Sequence, residues 1–239
     1  MIEKDEWHPD IEVDEKLVKH CIEQQFSELM PIKSIRCIGE GWDNKVFLIN
    51  DKIVFRFPHR KIFIELIEQE NLILNKLPVF QNIKIPALKY LGHPTIEYPY
   101  AFHGYELIVG TPAYQLEFTE EELVNSLVDL AKFLKKLHSI DERKAMALGA
   151  QPQIWDRTNI QKSTEAISER VKKNNERNRH KINTKLFEEE THEIKNISFS
   201  QKDRCLVHGD LDFRHILFYH QKLVGIIDWD DLGVNDRSV

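Results

Sequence analysis

The feature that most constrains the fold is residues 206–231, where two short apolar runs each lead to a carboxylate. Asp210 closely follows the run at 206–207, and Asp228 directly follows the run that ends at Ile227. A hairpin would place such strand ends side by side, so we expect the two carboxylates to be neighbours. Neighbouring acids repel each other unless a cation lies between them. The pattern therefore predicts a pair of carboxylates that binds a cation.

Two interpretations explain this pair of aspartates. Aspartates that cap turns are common after strands and need no function. Phosphoryl transfer, in contrast, uses one acid to position the attacking hydroxyl and accept its proton, and another to hold a metal ion on the phosphates. His208 lies two residues before Asp210, and His215 lies five residues after it. Two acids together with two histidines favour the functional interpretation.

The sequence HGDLDFRHIL at residues 208–217 resembles the catalytic loop of the aminoglycoside phosphotransferase family, and GIIDWDD resembles its metal-binding segment. The resemblance implies that Asp210 is the catalytic base, that Asp228 is the principal metal ligand and that His208 braces the catalytic loop. The family usually has Asn as a second metal ligand where this chain has His215, although some 2″-acting members carry His there. The resemblance thus implies His215 as the second metal ligand, and a histidine that only hydrogen-bonds the catalytic loop is the alternative.

An ion pair between Arg56 and Glu70 is predicted from side-chain patterns. Alternation along the strand at 53–57 places Val54 and Arg56 opposite the aromatic side chains. Glu70 lies on the apolar face of a helix predicted at 61–77, where an acid needs a cationic partner. The pair resembles the kinase arrangement in which a strand cation contacts phosphates and a helix glutamate orients it. An ion pair that only stabilises the fold is the alternative.

Two further segments are assigned to the nucleotide by resemblance. GEGWDN, between two predicted strands, resembles the family's loop over the phosphates, and a plain hairpin turn is the alternative. Its assigned binding residues are Gly39, Gly41 and Asn44. Residues 105–110 resemble the connection between two lobes, where the main chain of Glu106 and Ile108 would contact the purine edge.

The resemblance implies an α+β, two-lobed, protein-kinase-like fold. A β-rich, nucleotide-binding N-lobe is expected at residues 1–108, and a mainly helical C-lobe with the catalytic loop and the metal site at 109–239. Family members continue with further helices beyond a segment like GVNDRSV, so the C-lobe is expected to be incomplete. We therefore expect exposed apolar surface on the helix predicted at 120–138 and on the strand at 223–227.

The composition indicates which kinds of partner and which compartment suit the chain. A net charge of −6 argues against nucleic acid and anionic membranes as partners, and no apolar run approaches membrane-spanning length. Three scattered cysteines are typical of a reducing compartment, so a cytoplasmic location is predicted. The chain is expected to be a monomer unless the incomplete C-lobe drives association. A basic run that includes Arg170 is interpreted as a solvated helix face.

Together these patterns predict a kinase that moves the γ-phosphoryl group of ATP or GTP to a hydroxyl of a small molecule, with Mg²⁺ or alternatively Mn²⁺. A cationic acceptor such as an aminoglycoside is favoured by the acids near the site, which are Asp212, Asp230, Asp231 and Asp236. Two alternatives stay open. One is a non-catalytic nucleotide-binding remnant of the same fold. The other is a metallohydrolase whose ligands would be His208, Asp210, His215 and Asp228.

Overall fold

The computed structural model describes residues 9–61, 64–153, 158–177, 181–187, 189 and 203–238. The first half contains one five-stranded antiparallel sheet with two helices, and the second half is mainly helical with two small sheets. This arrangement agrees with the predicted α+β class. No helix among the described residues is both long enough and apolar enough to cross a membrane.

The large sheet has the strand order β1-β2-β3-β5-β4, and every neighbouring pair is antiparallel. Its strands are β1 (Ile35–Glu40), β2 (Asn44–Ile49), β3 (Ile53–Pro58), β4 (Leu88–Gly92) and β5 (Phe102–Glu106). Asn50 and Asp51, with φ of 51° and 55°, form the tight turn between β2 and β3. The Asn-Asp dipeptide itself predicts a tight turn here, because these residue types adopt left-handed backbone at low cost.

The two faces of β3 contact different cores, as the alternation predicts. Ile53, Phe55 and Phe57 belong to one buried cluster, and Phe57 stacks on Phe102 with ring centroids 4.4 Å apart. Val54 lies in the other buried cluster. Arg56 has the same parity as Val54 and therefore faces the second half of the chain.

The helices with fully described bounds are α1 (Glu15–Gln25), α2 (Ile64–Ile73), α3 (Glu120–Leu137), α4 (Glu142–Leu148) and α5 (Ile160–Arg177). The sequence pattern predicts a helix at 15–30 for the first of these, but α1 ends at Gln25. Phe26, with φ of −134° and ψ of 74°, leaves the helical region, and a short 3₁₀ turn follows. The second was predicted at 61–77 and instead continues from Ile73 as a 3₁₀ turn, Leu74–Lys76.

Two predicted helical stretches extend into residues that the structure does not describe. Residues 62 and 63, within the helix predicted at 61–77, lie outside the described part. The charged sequence at 161–196 also predicts helix with turns. It is present as α5 up to Arg177 and again at 184–187, while residues 178–180, 188 and 190–196 lie outside the described part.

The small sheets arrange the segment that carries the two carboxylates. They contain β6 (Thr111–Pro112), β7 (Arg204–Val207), β8 (Ile216–Tyr219), β9 (Lys222–Ile226) and β10 (Gly233–Asp236). β8 and β9 form a hairpin, whereas β7 pairs with β10 in a separate sheet. Asp210 and Asp228 are brought together because one precedes β8 and the other follows β9. The expectation that the run at 206–207 belongs to the hairpin was therefore wrong in its pairing.

The expected apolar surface is present on α3 and absent from β9. Thr119 begins α3 with a capping box, in which its side chain and that of Glu122 bond each other's backbone amides. Four apolar side chains of α3 are more than 40% exposed, namely Leu123, Val124, Leu127 and Val128. In β9, Leu223 and Ile226 are buried, because the hairpin packs inward against α3 residues such as Phe133.

Candidate active site

The catalytic loop begins where β7 ends, and its first turn requires glycine. Gly209 has a φ of 89°. A Cβ atom there would lie 1.9 Å from Nε2 of Gln153 and 2.2 Å from the carbonyl oxygen of Asp231. No side chain fits into that space, and glycine lets the loop pass close to the segment that follows Asp228. The side chain of Asp210, the next residue, is 37% exposed.

His208 connects the two halves of the site. Its Nε2–H donates to the carbonyl oxygen of Ile227 at 3.0 Å, and its Nδ1 accepts from the amide of Asp210 at 3.4 Å. Burial lowers the pKa of His208 to about 4, so the imidazole is neutral near pH 7. It thus holds the backbone of the catalytic loop against the end of β9, where the resemblance placed a bracing residue.

The lowered pKa of His208 predicts a specific pH dependence of stability. The unfolded state takes up a proton near pH 6.5, whereas the folded state does so only near pH 4. Stability is therefore fully present above pH 6.5 and is lost as the pH falls toward 4, by about 3 kcal/mol for this group.

Glutamine can replace both hydrogen bonds of His208 without titrating. Between pH 7 and pH 4, His208→Gln should therefore lose about 3 kcal/mol less unfolding free energy than the wild type, as measured by urea denaturation. Parallel pH profiles of the two proteins would contradict this assignment.

Asp228 has a strained backbone and two side-chain partners. Its φ is 66°, a conformation that costs a non-glycine residue of order 1–3 kcal/mol and is common at functional sites. Its Oδ2 lies 3.0 Å from Nε2 of His215, whose Nδ1–H donates to the carbonyl oxygen of Asp210 at 2.7 Å. Burial raises the pKa of the Asp228 carboxyl, but Arg56 and His215 lower it more, and the net direction is down.

Arg56 lies at the centre of an acidic cluster. It is 4% exposed, and the predicted contact with Glu70 is present, with Nη1 3.5 Å from Oε1. Its shorter contacts are from Nη2 to Asp228 at 2.6 Å and to Asp230. Burial lowers the pKa of Arg56, but Asp230 and Asp228 raise it more, so the guanidinium stays charged.

Asp230 was not predicted as part of this cluster. Its Oδ2 accepts from Nδ2 of Asn44 at 2.7 Å as well as from Arg56. Burial raises the pKa of Asp230 and of Glu70, because one guanidinium faces three carboxylates. Asp230 could have been identified from the sequence, because it lies two positions after Asp228 and the two acids flank an apolar residue, the buried Trp229.

The residues assigned to the phosphate loop have different surroundings. Gly41 lines the same cavity as Asp210, while Gly39 lies opposite Val46 in the β1–β2 ladder. The side chain of Asn44 is 3% exposed and bonds to Asp230. The side-chain amide thus helps to hold the acidic cluster, and the assignment of Asn44 to nucleotide binding stays a prediction.

The residues assigned to the purine edge do not line the cavity around Asp210. Glu106 and Ile108 line a second cavity of about 710 Å³. Between them, the amide of Leu107 donates to the carbonyl oxygen of Lys52 at 2.7 Å, which fixes the connection against β3. The side chain of Glu106 is exposed and pairs with Lys89 at 3.4 Å. Main-chain recognition of a purine by Glu106 and Ile108 stays a prediction.

The cavity around Asp210 has a volume of about 430 Å³. It is lined by Gly41, Trp42, Asp43, Arg170, Asp210, Arg214, His215, Asp228, Asp230 and Asp231. Arg170 is exposed on α5, as the interpretation of a solvated helix face predicts, and it also lines the cavity. Asp236, expected near the site, is instead buried in β10 and accepts from Ser238. Asp212 pairs with Arg214.

The geometry argues against the metallohydrolase alternative. Ligand atoms of Asp210, Asp212 and His215 lie within 4.8 Å of one another, but His208 is not in this group. Both ring nitrogens of His208 bond to backbone groups, so this imidazole is not available to a metal ion. The four-ligand set predicted for hydrolysis is therefore not formed.

Comparison with protein families gives one match that covers most of the chain. Residues 34–239 match the model of a family described as the phosphotransferase enzyme family. The match includes β1 through β10, and with them the acidic cluster and the catalytic loop.

Several solved structures share the fold. An APH(2″) enzyme in complex with GDP and kanamycin superposes with a TM-score of 0.73 at 23% identity, covering 92% of this chain and 74% of its own. The streptomycin–ATP complex of APH(2″)-IIa gives 0.61 at 22%, covering 95% and 74%. Apo macrolide 2′-phosphotransferase MphH from Brachybacterium faecium gives 0.61 at 17%, covering 92% and 74%. At these identities the similarity shows the fold.

Proposed function

We propose that this chain, which belongs to the phosphotransferase enzyme family, transfers the γ-phosphoryl group of ATP or GTP to a hydroxyl of a small molecule. The observation that carries the proposal is a continuous set of contacts from Asp210 through His215 and Asp228 to Arg56. In this proposal residues 1–108 bind the nucleotide, and residues 109–239 carry the base and the metal ligands. Phosphoryl transfer depends on such positioning of charged groups more than on covalent chemistry.

Asp210 is the proposed general base. Its carboxylate is partly exposed in the cavity, where a bound acceptor can reach it. His208 and His215 hold its backbone amide and carbonyl, so the carboxylate keeps its direction. A base in this position orients the acceptor hydroxyl and takes its proton as the phosphoryl group is transferred.

Asp228 and His215 fit a divalent cation. The Nδ1–H of His215 donates to the carbonyl oxygen of Asp210, which directs Nε2 toward Asp228. A backbone carbonyl commonly orients metal-binding histidines in this way. Nε2 would bind a metal ion after losing the proton that it shares with the Asp228 carboxylate. The three carboxylates around Arg56 also leave local negative charge for a cation to balance. When bound, Mg²⁺ or Mn²⁺ would neutralise charge on the transferring phosphates.

Arg56 and the loop at 39–44 are the proposed phosphate-binding elements. The guanidinium of Arg56 can bond two phosphate oxygens, and Glu70 limits its rotation. Glycine at positions 39 and 41 lets backbone approach anionic oxygens closely. The main chain of Glu106 and Ile108 would bind the purine. The complexes of the solved neighbours with GDP and with ATP support a nucleotide co-substrate.

A cationic acceptor is proposed from the charges of the cavity. Two arginines, Arg170 and Arg214, face a larger number of acids, namely Asp43, Asp210, Asp228, Asp230 and Asp231. An excess of negative charge in a concave site attracts cations. Kanamycin and streptomycin are bound by solved neighbours, so aminoglycosides are the first acceptors to test.

The proposal is tested with a panel of aminoglycosides and macrolides, each with ATP and with GTP, and phosphorylated product is detected by mass spectrometry. A mass increase of one phosphoryl group on an aminoglycoside is expected, together with nucleoside diphosphate. Stabilisation by nucleotide without any phosphorylated product would instead favour the non-catalytic remnant.

The metal preference provides a separate prediction. Imidazole suits Mn²⁺ better than Mg²⁺, which prefers oxygen ligands. If His215 contacts the ion, Mn²⁺ should support turnover at least as well as Mg²⁺, and His215→Asn should shift the preference toward Mg²⁺ several-fold. The measurement is the Mn²⁺/Mg²⁺ ratio of turnover for both proteins. An unchanged ratio would place His215 outside the ligand set and leave it bracing the loop.

A further inference from the structure

Gln69 on α2 bridges two backbone segments from the second half of the chain. Its Nε2 donates to the carbonyl oxygen of Leu232, and its Oε1 accepts from the amide of Gln151 at 2.8 Å. These two bonds fix the orientation of the side-chain amide, since one partner is an acceptor and the other a donor. A carboxylate or an ammonium at this position could satisfy only one of them.

The two bridged segments belong to one short ladder. The amide of Val234 donates to the carbonyl oxygen of Gln151 at 2.9 Å, and the amide of Gln153 donates back to Val234 at 3.2 Å. The amide of Leu232 donates to the carbonyl oxygen of Trp229 at 2.9 Å. Leu232 is therefore held by a turn to the residue that follows the proposed metal ligand. Gln69 extends this ladder onto α2.

The residues on either side of Gln69 explain why this contact matters. Glu70 contacts Arg56, and Arg56 bonds to Asp228. Asn71 accepts from Nδ1 of the buried His103 at 2.8 Å. Successive residues on a helix point about 100° apart. Three consecutive side chains thus hold α2 in three directions, toward the ladder, toward Arg56 and toward β5.

We propose that Gln69 is a positioning residue that ties α2 to the segment after Asp228, so that Arg56 and Asp228 keep their relative position when a metal–nucleotide complex binds. The inference rests on the proposed function, because the aligned pair is useful only for such a ligand. Besides the Gln69 bonds, α2 contacts this segment through the charged cluster of Glu70, Arg56 and Asp228 and through apolar packing of Ile73. Apolar packing is not directional, so the Gln69 bonds are the ones that fix the two backbones relative to each other without using a charge of the site. The role concerns nucleotide binding and leaves the acceptor side unchanged.

The test compares Gln69→Met, which removes both bonds, with Gln69→Glu, which keeps only the bond from Gln151. Glu68→Gln, an exposed change on the same helix, is the control. The measurements are kcat, the KM values for nucleotide and acceptor, and the rise in Tm caused by Mg²⁺–nucleotide. We expect Gln69→Met to raise the nucleotide KM about tenfold and to reduce the Tm rise, with the acceptor KM within about twofold of wild type. Gln69→Glu should be intermediate, and Glu68→Gln should match the wild type.

A purely structural role would lower the Tm of the free protein but leave the nucleotide KM and the nucleotide-dependent Tm rise unchanged, and that result overturns the inference. If Gln69→Met does not fold, Gln69→Glu decides by the same readouts. A wild type that is stabilised by nucleotide but phosphorylates no acceptor refutes the proposed function alone, and the Tm rise of the variants still decides the role of Gln69. A wild type that no nucleotide stabilises overturns both.

Discussion

Replacing Asp210 by asparagine is expected to lower turnover by about 10²–10⁴-fold, the usual contribution of a positioned general base. Asparagine has nearly the same shape, so His208 and His215 keep their bonds to the backbone of residue 210. It cannot accept the proton of an acceptor hydroxyl. Arg56 contacts Glu70, Asp228 and Asp230, so the substitution does not directly change the ion pairs of the proposed nucleotide side. The affinity for nucleotide should therefore stay close to that of the wild type.

Two measurements on Asp210→Asn separate these effects. Steady-state turnover with a phosphorylated acceptor gives the loss of transfer, and the nucleotide-dependent rise in Tm gives binding. Asp203→Asn makes the same chemical change at an exposed ion pair with Arg237 and should behave as the wild type. Near-full turnover of Asp210→Asn would assign the base elsewhere. Loss of nucleotide binding would place Asp210 on the nucleotide side.

The fold could be predicted from the sequence where local pattern and family motif agreed. The alternation of β3 correctly assigned Arg56 to the face opposite Phe55 and Phe57. The motifs at residues 208–217 and 225–231 led to the aminoglycoside phosphotransferase resemblance, which the family match to residues 34–239 confirms. Both signals are local, because the alternation of a strand and the residue types of a motif can be recognised from neighbouring positions in the chain.

The remaining features depend on contacts between distant residues. Asn44 and Asp230 are 186 positions apart, and Gln69 and Leu232 are 163 apart. The pairing of β7 with β10 could not be predicted from either strand, because each has only four residues and no alternating pattern that would set a register. The strongly charged sequence of its helix predicts a solvated face for Arg170, and only the packing of α5 shows that this residue also lines the cavity.

The removal of Arg56 should be the most damaging single change to stability in the site. Arg56→Met keeps the length of the side chain but leaves three carboxylates, Glu70, Asp228 and Asp230, facing one another without their cation. Breaking a buried ion pair on one side typically costs 3–5 kcal/mol, so we expect the free energy of unfolding to fall by about that amount. Urea denaturation at pH 7 with a chelator measures it, since a bound divalent cation would mask the loss.

The sequence assigns Glu70 as the partner of Arg56, and this predicts that removing Glu70 is costly because it would leave a buried cation unpaired. The structure reverses this expectation, since Arg56 keeps Asp228 and Asp230 as partners. Glu70→Gln also removes a buried charge whose pKa is raised by burial. We therefore expect Glu70→Gln to cost about 1 kcal/mol or less, the net value of a typical hydrogen bond. An equal loss in Glu70→Gln and Arg56→Met would show that the Arg56–Glu70 pair alone carries the stability.

The pH dependence of the free energy of unfolding of the same variants tests why Arg56→Met is destabilised. Burial raises the pKa of Glu70 and Asp230 in the folded state, and without Arg56 both pKa values should rise further. A carboxyl group with a raised folded pKa contributes stability that is present at low pH and is lost as the pH rises through that pKa. The deficit of Arg56→Met should therefore shrink as the pH falls from 7 toward 5. A deficit that is constant over this range would mean that lost packing around the side chain of Arg56, rather than repulsion among the carboxylates, destabilises the variant.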